Sequence, residues 1–360
     1  MHGLNISAMI MTKGNGKTSR SMARSVTMHD VARVAQVSQS TVSRVLSADA
    51  TPTAVPISDD TIRRVQNAVR ELGYHPNLAA RSLRGQKTQL IAVMIADISN
   101  PYYHVMVRKI QDVARQHGYD VLIFNSDHNA EEEHHFLQGI IRRPADGVIM
   151  TPYHLTKEEI DQFMQRSNAE VVILGHHFDC SDFDRVFADD YKATFDAVNW
   201  LIRERNHTHI AYIGVPHTHP GQRRQQAYLQ AMQAAQLPVP PQYLQTGDFT
   251  IEMGERAMRA LLDLPERPTA VVACNDLMAL GCLMALKSYG LQVPGDVAVV
   301  GFDDIPEASR ISPKLTTLAQ RSAEMGEQLA QALFERMEGK YVGPGRNFEV
   351  SCELVIRDSA

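Results

Sequence analysis

Hydrophobic residues recur at helical spacing in two short neighbouring segments near the start of the chain. The pattern predicts two helices joined by a tight turn over residues 27–46. Thr27 can cap the first helix, with Asp30 in its first turn, and Ser38 can cap the second. The apolar residues expected to face inwards are Val31, Ala32, Ala35, Val42, Val45 and Leu46.

The polar positions of the second helix fall on its outer side and comprise Gln39, Ser40, Ser43 and Arg44. Amide, hydroxyl and guanidinium groups at the start of an exposed helix are the groups that read base edges in a major groove. The pattern favours a helix-turn-helix that reads DNA. A plain helical hairpin with a polar face is the alternative.

A third helix and a short linker follow this pair. Residues 47–56 contain two prolines and are expected to form a loop, after which Ser58 caps a helix that Gly73 ends. Asn77 then starts a segment of helical pattern that stops at Gly85 and carries Leu83 beside arginines. This segment is either an interdomain linker or a hinge helix that inserts Leu83 into a minor groove.

From residue 89 onward the pattern alternates between buried strands and amphipathic helices. Such alternation indicates an α/β fold with parallel sheets covered on both faces, and the number of units predicts two similar subdomains. The predicted strands are 90–96, 120–125, 147–150, 171–174, 186–188, 210–214, 270–274, 297–301 and one near 348–354. The predicted helices are 102–116, 131–142, one starting at Thr156, 192–204, 224–235, 251–262, 277–289 and 321–338.

Carboxylates, amides, an arginine and aromatic residues follow the predicted strands. Ligands of parallel α/β folds bind beyond the carboxyl ends of the strands, so these residues are expected to converge on a cleft. Asp303 would accept hydroxyl protons and Arg224 would donate paired hydrogen bonds, which suits a polyhydroxylated ligand. For each carboxylate taken alone, a helix N-cap is an equally good explanation.

Charge is distributed unevenly along the 360 residues, whose net charge is -5. Residues 1–87 contain 12 Lys and Arg against 5 Asp and Glu, which suggests that one end meets a polyanion. Residues 1–26 are predicted to be a disordered basic tail, or an inert extension if translation starts at Met9, Met11 or Met22. Four scattered cysteines without CxxC spacing, and the lack of a secretory signal or membrane span, predict a cytoplasmic protein.

Several stretches together resemble the lactose/galactose repressor (LacI/GalR) family of bacterial transcription regulators. The resemblance covers residues 27–360. It is carried by the sequences DVA and TVSRVL in residues 30–46, by LGYHPN and ARSL in residues 72–83, by NDLMALG in 275–281, by VVGFDD in 299–304 and by LTTL in 315–318. It implies a homodimer or tetramer that reads a palindromic operator in double-stranded DNA and a periplasmic-binding-protein-like body with an effector cleft. Of the two oligomers, the sequence favours the dimer.

The resemblance also implies a domain division. The headpiece is expected at 27–75, the hinge at 76–87 and the effector and dimerisation domain at 88–360. One subdomain would comprise about 88–189 with 318–345, and the other about 190–317 with 346–360.

Site residues carry over from the family by motif. Base reading is assigned to Gln39, Ser40 and Arg44, and minor-groove insertion to Leu83. The remaining DNA contacts are expected at Thr27, Ser38, Thr41, Ser43, Asn77, Ala80 and Arg84. The effector contacts are expected at Asn100, Tyr102, Arg224, Phe249, Asn275 and Asp303.

One departure from the family concerns the fourth strand of the body, where Gly175 is followed by His176 and His177 instead of an aspartate. His176 is therefore added as an effector contact. With His217 and His219 these residues could instead bind a metal, sense pH or simply lie on the surface. No metal and no cofactor is predicted.

The function predicted is a repressor of a carbohydrate-utilisation operon that a small sugar-type inducer releases from DNA. In this mechanism the effector closes the cleft and disfavours the ordered hinge. A co-repressed regulator that responds to a nucleobase or phosphosugar is the alternative within the family. An enzyme would leave the basic headpiece unexplained, and a free periplasmic sugar-binding protein would lack residues 27–87.

Overall fold

The computed structural model describes residues 26–46, 57–74, 87–176, 178 and 182–360. The chain divides into two compact units, a small N-terminal one and a large one that contains the described residues from 87 onward. The predictions for the basic tail, for the loop after the second helix and for the hinge lie outside the described residues. That applies to Asn77, Ala80, Leu83 and Arg84 as DNA contacts.

The N-terminal unit contains helices α1 (Met28–Ala35), α2 (Gln39–Leu46) and α3 (Asp59–Leu72). Thr27 caps α1 in a capping box, because its hydroxyl accepts from the Asp30 amide while the Asp30 carboxylate accepts from the Thr27 amide. Gly73 ends α3 in the left-handed conformation at φ 59°. The buried core of this unit comprises Val31, Ala32, Ala35, Val42, Val65, Ala68 and Tyr74.

The large unit is built on two six-stranded sheets of similar strand order. The first sheet has the order β11-β5-β4-β3-β1-β2 and is parallel throughout. The second has the order β12-β10-β9-β8-β6-β7 and is parallel except that β12 runs antiparallel to β10. The strands are β1 (Leu90–Ile95), β2 (Asp120–Asn125), β3 (Gly147–Met150), β4 (Glu170–Leu174), β5 (Asp184–Ala188), β6 (Ile210–Gly214), β7 (Leu244–Thr246), β8 (Ala270–Ala273), β9 (Ala298–Asp303), β10 (Thr316–Ala319), β11 (Asn347–Val350) and β12 (Glu353–Val355).

Helices cover both faces of each sheet, and each sheet with its helices is called a lobe below. The first lobe contains α4 (Pro101–Gln116), α5 (Ala130–Arg142), α6 (Lys157–Ser167) and α11 (Ser322–Met337). The second lobe contains α7 (Asp190–Arg203), α8 (His219–Ala234), α9 (Ile251–Leu262) and α10 (Asp276–Ser288). Central strands such as β1 are almost wholly buried, which explains their unbroken apolar sequences.

Two glycines allow α9 and α10 to pack closely. A Cβ atom at Gly281 would lie 2.1 Å from the Ile251 carbonyl oxygen, and one at Gly254 would lie 2.3 Å from that of Met278. The close approach of these helices therefore explains why glycine stands inside two helices where it would otherwise destabilise them.

Within the described residues the chain crosses between the lobes three times: between β5 and α7, between β10 and α11, and between β11 and β12. This corrects the predicted division of the body. Residues 318–319 belong to β10 in the second sheet, although they were assigned to the first subdomain. Residues 347–350 pair with β5 in the first sheet, although they were assigned to the second.

The single strand predicted near 348–354 is also wrong, because this stretch forms two short strands in different sheets. Strands β7 and β10 were not predicted at all. Helix α8 begins at His219 instead of Arg224, because Thr218 caps it and Pro220 fits its first turn.

Candidate functional sites

Helix α2 presents its polar residues on an exposed face. Ser38 caps the helix, its hydroxyl accepting from the Thr41 amide at 3.1 Å, and Val42 is buried against the other two helices. Gln39, Ser40 and Arg44 are exposed as a result, while Thr41 and Ser43 are half-buried. An amide, a hydroxyl and a guanidinium therefore stand together on one short, anchored helix.

Four of the hydroxyls predicted to contact DNA, those of Thr27, Ser38, Ser40 and Thr41, already have partners within the headpiece. The Thr27 hydroxyl lies 2.7 Å from the Asp30 carboxylate, and that of Ser38 lies 2.7 Å from the Ser40 hydroxyl. These contacts hold the start of each helix, and both Thr27 and Ser38 remain exposed.

In the large unit, one cavity of about 100 Å³ lies at the carboxyl ends of the strands. Residues of both lobes line it. The structure places in its wall all seven predicted effector residues, Asn100, Tyr102, His176, Arg224, Phe249, Asn275 and Asp303.

Arg224 is buried beneath the cavity and tightly oriented. Its Nη1 donates to the Cys274 carbonyl at 2.6 Å, and its guanidinium carbon lies 3.6 Å from the centre of the Phe302 ring. Its Nε lies 3.6 Å from the Asp190 carboxylate. Among the described residues this buried Nε has no hydrogen-bond partner. The aromatic face below and the carbonyl beside it hold the guanidinium plane in place for a ligand.

Asp303 ends β9 with its carboxylate buried in the cavity wall. Gln320 donates its side-chain amide to this carboxylate at 2.6 Å. Burial raises the pKa of Asp303 to about 7, and the nearby Arg224 guanidinium acts in the opposite direction. Near neutral pH the side chain can therefore accept a hydrogen bond as a carboxylate or donate one as an acid.

The two asparagines of the site are helix caps as well as wall residues. The Asn100 side chain accepts from the Tyr102 amide at 3.0 Å, and that of Asn275 accepts from the Met278 amide at 3.0 Å. Asn275 also donates to the Phe249 carbonyl at 3.0 Å. Each asparagine thus both caps a helix and lines the cavity, and the cap hydrogen bond fixes the orientation of its side chain.

Aromatic rings form much of the remaining wall. Tyr102 meets Tyr103 edge to face, with ring centres 5.0 Å apart, and His176 lies 4.3 Å from the Phe187 ring centre. Burial raises the pKa of Tyr153 to about 12, so its phenol is neutral. Neutral phenols and ring faces can cover the apolar faces of a ligand and also bond to its hydroxyl groups.

Several wall residues were absent from the predicted effector contacts, among them His128, Tyr153, Gln320 and Met325. Tyr153 stands in the segment after β3, which strand-end reasoning could have included. Gln320 follows β10, a strand that sequence periodicity did not reveal. The position of Met325 depends on the crossing of α11 into the first lobe.

The metal alternative for the histidines has no support in the described part of the chain, where no three His, Cys, Asp or Glu residues are grouped for a metal ion. His219 lines the cavity with His176, whereas His217 does not. His177 lies outside the described residues. None of the helices that the structure describes is long and apolar enough to cross a membrane.

A three-helix headpiece followed by two parallel α/β lobes around a cleft defines a class of protein, the DNA-binding regulator with a periplasmic-binding-protein-like body. Residues 27–77 match the model of bacterial regulatory proteins of the lacI family. Residues 201–360 match that of a periplasmic binding protein-like domain.

The chain is 38% identical over 338 residues to the HTH-type transcriptional repressor CytR of Escherichia coli K12, covering 92% of this chain and 96% of the relative. It is 35% identical to the ribose operon repressor of the same strain, covering 86% and 93%. It therefore belongs to the LacI family of bacterial regulatory proteins.

Solved structures agree with this assignment. The lac repressor dimer bound to operator and the anti-inducer ONPF has a TM-score of 0.79 at 26% identity, covering 93% of this chain and 99% of that one. The complex of the regulator CelR with cellobiose has a TM-score of 0.68 at 28% identity, covering 93% and 100%. The relatives are transcription regulators, so the enzyme alternative is set aside.

Proposed function

We propose that this protein is a homodimeric transcriptional repressor of the cytoplasm that reads a palindromic operator and is released by a small neutral polyhydroxylated effector. The observation that carries this proposal is the cavity of the large unit. A buried guanidinium, a buried carboxyl group and two cap-oriented amides converge there beside aromatic rings. These are the groups that recognise a sugar.

The DNA-reading part rests on the exposed face of α2. Gln39 and Arg44 carry the side chains that bond bidentately to adenine and guanine, and Ser40 can bond to either base. Thr27, Ser38, Thr41 and Ser43 would contact phosphates and fix the register. The similarity to the lac repressor, whose dimer is bound to operator in its structure, supports this assignment. Intercalation by Leu83 stays a prediction.

The charges around the cavity favour an unphosphorylated effector. The two arginines of the wall, Arg223 and Arg224, lie beside the carboxyl groups of Asp190 and Asp303, and Asp303 is ionised only in part near neutral pH. Arg223 donates to Asp190 at 2.8 Å. A phosphate group would bring further negative charge into a buried site without an additional cation, which is costly. A neutral sugar or nucleoside fits this balance, and the aromatic wall keeps the nucleobase-responsive alternative open.

An apolar surface on the second lobe supports the homodimer. It combines residues of α10 with the first residue of α9 and with the loop before β10, namely Ile251, Leu280, Leu283, Met284, Ile311 and Pro313. Met284 is 52% exposed in the single chain. A second copy of the same chain would cover this surface in an isologous contact.

The proposal is tested by measuring operator binding and effector binding together. An operator is selected from random DNA with the full-length protein, and affinity is measured by fluorescence anisotropy. D-ribose, cellobiose, adenosine and cytidine are then screened by thermal shift. A ligand that stabilises the fold should weaken operator binding. A ligand that strengthens operator binding would establish co-repression. If none of these ligands changes the operator affinity, the proposed effector class is contradicted.

A further inference from the structure

His128 and Phe249 make a contact between the two lobes at the wall of the cavity. His128 stands in the loop after β2 of the first lobe, and Phe249 stands in the loop after β7 of the second. Their rings are stacked with centres 5.4 Å apart and planes 21° apart. His128 also meets Tyr153 edge to face, with centres 4.7 Å apart.

This contact lies at the sheet edges opposite to the crossovers. Strands β2 and β7 each end one side of their sheet, whereas the chain crosses between lobes next to β5, β10, β11 and β12 at the other side. Six strands spaced by roughly 4.8 Å separate the two edges by about 24 Å. If the lobes rotate about the crossovers, they separate most at the opposite edges, so a contact at this distance strongly opposes the opening of the cleft.

Both backbones adopt a conformation that residues other than glycine rarely take. His128 has φ 53° and Phe249 has φ 73°. Their neighbours hold them there: the Asn129 side chain caps α5, and the Phe249 carbonyl accepts from Asn275 at 3.0 Å. Left-handed backbone at bulky residues is concentrated at ligand clamps and switch regions, where the surrounding structure maintains it.

The His128 ring also has an unused hydrogen-bonding atom. Its Nδ1 is buried and, within the described part of the chain, has no hydrogen-bond partner. Burial lowers the pKa of His128, and the nearby His217 and His154 lower it further. Asp97 and Asp127 act in the opposite direction. The ring is therefore held as neutral imidazole, which can donate from one nitrogen and accept at the other.

We propose that His128 is a specificity-determining residue of the effector site: its ring latches the lobes by stacking on Phe249, and its Nδ1 hydrogen-bonds to the effector. This inference rests on the proposed function of the cavity. The bond would favour effectors with a hydroxyl or amino group at that position over analogues that lack it, because the analogue leaves a buried nitrogen unpaired.

Two variants separate the two roles in the full-length protein. His128→Phe retains an aromatic ring for the stack but lacks Nδ1. His128→Asn tolerates the left-handed backbone but lacks the ring. His135→Asn is the matched control, because His135 is an exposed residue of the adjacent helix α5.

Binding of D-ribose, cellobiose, adenosine and cytidine is measured by calorimetry, and hydrogen–deuterium exchange is followed in the ligand-free protein over residues 126–130 and 247–251. Both His128 variants should lose about tenfold in affinity for the ligand that binds the wild type. Only His128→Asn should exchange faster in both loops, and the control should change neither quantity.

The outcomes distinguish this inference from the proposed function. If a ligand binds the wild type and His128→Phe with equal affinity, the Nδ1 contact is refuted, whereas the proposed effector function is unaffected. Unchanged exchange in His128→Asn overturns the latch. If none of the four ligands binds the wild type, the proposed effector class fails and the Nδ1 contact fails with it, and the exchange result still decides the latch.

Discussion

Replacing Asp303 by asparagine should stabilise the protein, and more so as the pH rises. Folding moves the pKa of Asp303 from its ordinary 3.8 to about 7, chiefly because the carboxyl group is buried. Above pH 4 the unfolded chain loses this proton while the folded chain keeps it, so the group destabilises the fold progressively until the pH passes 7.

The magnitude follows from the size of the shift. About three pKa units at 1.36 kcal/mol each amount to roughly 4 kcal/mol at pH 8. At pH 5 the pH lies only about one unit above the pKa that Asp303 has in the unfolded chain, so the destabilisation there is only about 2 kcal/mol. Asparagine carries no charge, and its oxygen can still accept the hydrogen bond that Gln320 donates to Asp303.

The assay is urea denaturation of the wild type and Asp303→Asn at pH 5 and pH 8. The difference in free energy of unfolding between them should grow by about 2–3 kcal/mol over this range. Comparing the two proteins cancels the titrating groups that Asp303 does not influence. The buried Asp276, whose pKa Asp303 raises, should ionise more readily in the variant and so changes the difference in the same direction. A difference that is equal at both pH values would show that Asp303 is ionised throughout and would refute the reasoning. At pH 8, where Asp303 is ionised, effector affinity should fall about 100-fold in the variant, since a charged hydrogen-bond acceptor is lost.

Three further substitutions test separate parts of the proposed function. Arg44→Ala should reduce the preference for operator over random DNA by about 1–3 kcal/mol in anisotropy titrations, and an equal loss on both DNAs would exclude base reading. His176→Ala should change effector affinity in calorimetry, because the ring lines the cavity beside Phe187; unchanged affinity would remove His176 from the site. Met284→Glu should shift the sedimentation equilibrium from dimer to monomer by placing a charge on the apolar surface of α10, and a variant that stays dimeric would place the interface elsewhere.

Local sequence determined the headpiece and the parts of the body that depend on short-range pattern. The Thr27 cap of α1 and the stop at Gly73 depend on neighbouring residues, and both were predicted where the structure has them. The reciprocal hydrogen bond that completes the capping box with Asp30 was not predicted. The polar face of α2 follows from helical periodicity alone. The convergence of Arg224, Asn275 and Asp303 was predictable because parallel strands bring their carboxyl ends to one edge.

The tertiary structure alone decided how the chain is shared between the lobes and how the cavity is completed. Strands β11 and β12 are separated by two residues, and no periodicity could show that they join different sheets. The raised pKa of Asp303 and the stack of His128 on Phe249 likewise depend on burial and on contacts between residues far apart in sequence. Periodicity records which face of an element is buried, whereas the partner that buries it is a property of the assembled fold.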